Sequence, residues 1–140
     1  MSRETFTPDE FIKKTLGEGR VRILGNDSIM VNDSLDLQKR VLGEVTITGI
    51  KIEGALILKE GFFGVVNLSM LNVRGIKSAG ASIGTLVIDG MNLNGGRFCI
   101  VGANVGIIYC ADNPRLAHDL RLVFPNTQII TSGFPLYHPE

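Results

Sequence analysis

One pattern constrains this chain more than any other: an apolar residue followed by glycine, returning about every 21 residues. It occurs at Leu42-Gly43, Phe63-Gly64, Ile83-Gly84 and Val105-Gly106, with steps of 21, 20 and 22. A further glycine follows the first three by 11 residues, at Gly54, Gly75 and Gly95. Glycine is abundant, 17 of 140 residues, but its placement carries the information. A fixed period of about 20 to 50 residues marks a solenoid or array, in which each repeat buries its apolar face only against its neighbours.

Aligned on these glycines, the repeats share the template Φ-G-x-Φ-x-Φ-x-x-Φ-x-Φ-x-G. Its apolar positions are Leu42, Val45, Ile47, Ile50 and Ile52; then Phe63, Val66, Leu68, Leu71 and Val73; then Ile83, Leu86, Ile88, Met91 and Leu93. Each Φ-x-Φ pair has the period of a strand. A third pair follows in most repeats: Leu35-x-Leu37, Leu56-x-Leu58 and Phe98-x-Ile100. One repeat departs, with Ile76-x-Ser78, and it is one residue short. That predicts a local irregularity, placed at the tight corner Ser78-Ala79-Gly80-Ala81. The first repeat is looser, since a longer turn, Leu24 to Ser28, separates Val21-x-Ile23 from Ile29-x-Val31.

Three short strands per repeat, stacked in parallel, predict a mainly β fold: a single-stranded right-handed parallel β-helix of about five coils, each of about 21 residues. Gly54, Gly75 and Gly95 are expected at corners, where a positive φ suits glycine. Residues 1–140 form one expected domain. A helical cap occupies 1–18, coils 19–112, a second helix with a last strand 113–131, and a tail 132–140. The cap rests on Thr7-Pro8-Asp9-Glu10: an N-cap, a proline at the first helical position, acids in the first turn and a glutamate three residues after the threonine. The second helix follows Asn113-Pro114 and ends before Pro125, with Leu116 and Leu120 on one face. Ile129 lies 21 residues beyond Ile108 and extends the period.

The segment Val105-x-x-Ile108-x-Cys110-x-x-Asn113-Pro114-x-Leu116 resembles a leucine-rich repeat. The earlier repeats depart from it, carrying Ile50, Leu71 and Met91 where that family has a turn asparagine. An apolar side chain there favours a second strand, hence a β-helix. A weaker resemblance is to bactofilins, small polymerising β-helices with shorter repeats and no helical caps. Neither resemblance implies an activity.

Lys plus Arg equals Asp plus Glu at 14 each, which argues against a nucleic-acid partner. With 44% hydrophobic and 20% charged residues, the chain has the composition of a folded protein. No apolar run approaches the ~20 residues of a membrane span. The polar start lacks a signal-like apolar stretch, and the two cysteines, Cys99 and Cys110, suit a reducing compartment; a cytoplasmic location with no membrane partner is expected.

Stacking places equivalent outward residues in columns. None gathers the paired carboxylates of a glycosidase. Asp89 stands alone beside Ser69 and Thr48, and Glu53 over Arg74 is a candidate ion pair. Lys51, Asn72 and Asn92 form a candidate polar face. Two isolated histidines, His118 and His138, have no zinc-ligand spacing with the cysteines. The segment from Gly75 to Ser82 lacks the P-loop lysine, having Ala81 in its place. No catalytic residue, metal site or cofactor is therefore expected. Val65, Val87, Ile107 and Tyr109 point outward together and form a candidate apolar interaction strip. The resulting expectation is a non-enzymatic interaction or scaffold module that binds a protein partner or itself. The alternative is a carbohydrate-directed binding protein or enzyme, as larger β-helices often are; the absence of tryptophan counts against it.

Overall fold

The structure is a computed structural model that describes residues 4–25, 29–93, 102–111 and 113–132, and the backbone alone of 97–99. It is mainly β. Its elements in chain order are β1 (Glu4–Phe6), α1 (Pro8–Thr15), β2 (Leu16–Gly17), β3 (Arg20–Leu24), β4 (Ile29–Val31), β5 (Leu35–Asp36), β6 (Val41–Thr48), β7 (Lys51–Ile57), β8 (Phe62–Asn67), β9 (Asn72–Lys77), β10 (Ser82–Val87), β11 (Arg97–Cys99), β12 (Asn104–Tyr109), α2 (Pro114–Val123) and β13 (Gln128–Ile130).

From β6 to β12, successive strands alternate between two sheets. Sheet I has the order β13-β12-β10-β8-β6-β3-β2, and sheet II has β1-β4-β7-β9-β11 with β5 also paired to β7. Every pair is parallel except β2 with β3, which is antiparallel, so sheet I is mixed. The expected third strand is separate at Leu35, in β5, and at Phe98, in β11, but not in the two middle repeats. Leu56 falls inside β7 and Ile76 inside β9, so the second and third Φ-x-Φ pairs share sheet II.

The register is the one the template implies. Val45 pairs with Val66, Val66 with Leu86, Leu86 with Ile108 and Ile108 with Ile129. Of the fifteen template positions, thirteen are buried, while Met91 and Leu93 are partly buried against the core. Burying each such side chain is worth about 1.5–3 kcal/mol.

The Φ-G glycines form a ladder. A Cβ on Gly64 would lie 2.5 Å from the Gly43 carbonyl oxygen, one on Gly84 2.6 Å from that of Gly64, and one on Gly106 2.7 Å from that of Gly84. These positions are glycine because neighbouring backbones meet there. Positive φ belongs elsewhere. The corners stack Lys39, Glu60, Gly80 and Gly102 in one column and Gly49, Met70 and Gly90 in another. Their N–H groups donate across the stack, as from Glu60 to the Ala79 carbonyl (3.1 Å) and from Met70 to that of Asp89 (2.9 Å). The corner expectation for Gly54 and Gly75 is thus corrected: both lie inside strands without positive φ. Gly95 lies outside the described residues.

The irregularity also moves. The register shifts between Ile52 and Ala55, where Glu53 and Gly54 together oppose Arg74. The missing residue of the short repeat is absorbed there, not at Ser78–Ala81. A Cβ at Gly54 would collide with Ser34, whose hydroxyl accepts the Ala55 N–H at 3.0 Å.

Ser78 keeps the inward place of Leu37 and Leu58. It is fully buried, and its hydroxyl has no hydrogen-bond partner among the described residues. A buried, unbonded hydroxyl destabilises by roughly 1–3 kcal/mol. Ser78→Ala is therefore expected to stabilise the fold by about 1 kcal/mol, raising Tm by roughly 2–4 °C in calorimetry. A lower Tm would show that the hydroxyl is bonded.

The first helix forms as expected, with a capping box: Thr7 Oγ1 accepts the Glu10 N–H, and Glu10 Oε1 accepts the Thr7 N–H. It buries Phe11, whose ring meets Phe6 edge-on at 6.2 Å. The polar start conceals a strand, since β1 pairs with β4. Asn113 caps α2, its Oδ1 accepting the Leu116 N–H at 3.1 Å, and Ala117 and Leu120 face inward. Residues 133–140 lie outside the described residues.

Candidate functional site

The outward columns of sheet I are set by the strand register. Glu44, Val65, Thr85 and Ile107 form one column, and Thr46, Asn67, Val87 and Tyr109 the next. The structure thus brings Val65, Val87, Ile107 and Tyr109 onto three neighbouring strands. None is exposed, however. Val87 is 0% exposed although it lies outside the inward core, and the other three are half-buried. The strip is therefore partly open, and closed at Val87.

The polar groups beside it hold one another. Ser69 donates its N–H and O–H to Asn67 Oδ1 at 3.1 and 2.6 Å, and Thr46 Oγ1 donates to Glu44 Oε2 at 2.5 Å. Asp89 is a corner clamp, its Oδ1 accepting the Ala111 N–H at 2.8 Å. Cys110 is buried, and its thiol lies 3.6 Å from the Asn113 carbonyl oxygen. Burial, then the nearby Asp89 charge, pushes its pKa up to about 11, so it stays a protonated, weakly nucleophilic thiol. The Cys99 side chain and His138 lie outside the described residues, and His118 is exposed on α2. Among the described residues, no three His, Cys, Asp or Glu side chains group as metal ligands. No described helix is long and apolar enough to cross a membrane.

Open apolar surface lies one step along the same strands. Val41 and Phe62 are register partners on β6 and β8, 74% and 58% exposed. They adjoin Gly43, Gly64, Gly84 and Gly106, and together these residues line a shallow groove of about 530 Å³. The glycines leave bare backbone, so a partner can approach closely there. The sequence signal was the residue preceding each Φ-G, which strand alternation points outward.

On sheet II, Lys51, Asn72 and Asn92 stack in register. Lys51 and Asn72 are half-buried and Asn92 is exposed, so this is a narrow seam. Asn72 Oδ1 is buried without a hydrogen-bond partner among the described residues. Glu53 shares the place opposite Arg74 with Gly54 at the bulge, and the two form no ion pair. The described ion pairs are Arg22–Glu44 and Lys39–Glu60, both 3.9 Å. Beside the seam, the bulge opens a concave groove of about 830 Å³. Asn32 and Ser34 line one side and Arg74 and Lys77 the other, with Gly54, Ala55 and Gly75 between. A repeat template cannot reveal such a groove, because it arises where the repeat is broken.

No protein-family model matches the chain, and comparison with curated proteins and with solved structures finds no significant match.

Proposed function

We propose that this chain is a single-stranded right-handed parallel β-helix of about five coils, working as a non-enzymatic protein-interaction module that self-associates. Support for the coil reading comes from parallel partners about one repeat apart in both sheets. Strand-to-parallel-strand crossovers are right-handed in about 98% of cases, which favours that hand here. A reducing, cytoplasmic setting fits the buried thiol of Cys110.

The observation that carries the functional reading is the exposed pair Val41 and Phe62 beside the glycine ladder. Large apolar side chains exposed side by side mark docking surfaces. The lining of the groove carries no charged side chain, which suits an identical groove on a second copy.

Light scattering across a concentration series tests this. The unmodified chain is expected to associate, and Phe62→Ser combined with Val41→Lys is expected to give a monomer of unchanged circular dichroism. A monomer in both cases refutes self-association. An oligomer that survives the double substitution moves the interface elsewhere. The alternative reading, carbohydrate-directed binding, draws its support from the mixed acidic and basic lining of the groove on sheet II.

A further inference from the structure

The groove at the bulge is independent of the apolar pair, and its composition is specific. We propose that it is a binding site for a small organic anion, one that lays a compact apolar body on the groove floor and an acidic group against the basic rim.

Three properties of one place support this. The first is size, since about 830 Å³ matches small-molecule pockets, which run to roughly 300–1,000 Å³. The second is the floor. Gly54, Ala55 and Gly75 carry at most a methyl group, which keeps the floor low between the flanking side chains. The third is the rim. Lys59, Arg74 and Lys77 are exposed, and none makes an ion pair among the described residues.

The two carboxylates of the lining, Asp33 and Glu53, leave those cations free. Asp33 Oδ1 accepts the Ser34 N–H at 2.8 Å. Glu53 shares the place opposite Arg74 with Gly54 and makes no ion pair with it. Ser34 is fixed by the Ala55 N–H and by the absence of a side chain on Gly54. Because its oxygen is accepting, its O–H remains able to donate to a ligand. The groove is thus formed in advance, with an excess of positive charge over an apolar floor. Carboxylate and phosphoryl oxygens share the chemistry that Arg74 in particular recognises through its planar fork.

The test is a fluorescence titration of the full chain at low salt with 8-anilinonaphthalene-1-sulfonate, an organic anion, and with N-phenyl-1-naphthylamine, its uncharged counterpart. Saturable binding of the sulfonate at one site is expected, with the uncharged amine at least about tenfold weaker. Arg74→Gln and Lys77→Gln, both at exposed positions, are each expected to weaken the sulfonate about tenfold. Phe62→Ser is expected to leave it unchanged, which separates this site from the self-association face. Displacement of the probe by benzoate or by phenyl phosphate supports the site and tells which acidic group it prefers. The proposal is overturned by no saturable binding, by equal binding of the two probes, by an affinity indifferent to both rim substitutions or lost in Phe62→Ser, or by displacement with neither competitor.

Discussion

Leu71→Asp and Ile88→Asp are each expected to abolish folding. Both residues are buried, Leu71 in the inward row with Ile50 and Met91, and Ile88 in the row with Leu68 and Cys110. A carboxylate there meets the apolar core on its own and the adjoining strands. An unpaired buried charge costs several kcal/mol, comparable with the whole stability of a domain this size, about 5–15 kcal/mol. The chain is expected to lose its strand circular dichroism and its cooperative urea transition. Lys51→Ala, one column away on the outward side, is expected to shift stability by less than about 0.5 kcal/mol. Soluble, cooperatively folded aspartate variants would mean that inside and outside are exchanged along these strands.

The glycine ladder gives the second large effect, and a sharper one, because a control is built into the same column. Gly64→Ala and Gly84→Ala each place a methyl carbon within 2.6 Å of a backbone carbonyl oxygen. Backbone cannot yield as a side-chain tip can, so each substitution is expected to cost about 2–3 kcal/mol. Gly43→Ala meets only the Gly19 carbonyl oxygen, at 3.6 Å, an ordinary contact. Its backbone has no positive φ, and the substitution is expected to be neutral within about 1 kcal/mol. Urea midpoints of the three variants decide the matter. Equal losses at Gly43 and Gly64 would show that close approach is not what holds these positions as glycine.

The two predictions address different parts of one repeat, and the sequence exposed them unequally. Inward positions such as Val45, Val66 and Leu86 were legible because strand alternation fixes each side chain's face, and the shared register stacks like upon like. The helices were legible from local chemistry at Thr7, Pro8, Asn113 and Pro114. The ladder was visible as a pattern, but its cause was not, since close approach between paired strands is a distance between residues about 21 positions apart. Corner geometry was misread for the same reason. A spaced glycine looks alike whether it serves a turn or an approach, and Glu60 and Met70 hold left-handed corners without being glycine.

By itself, the amino-acid order determined the period, the inward residues, both helices and the mainly β character, because each follows from local propensity or from the two-residue rhythm of a strand. Only the tertiary structure decided that two sheets share the three predicted pairs and that Val87 is enclosed while Val41 and Phe62 stay open. It alone placed the groove where Glu53 and Gly54 crowd against one arginine. These outcomes depend on how the strands of one repeat pack beside those of the next, and a sequence pattern records what each repeat contains but not the accommodation between repeats.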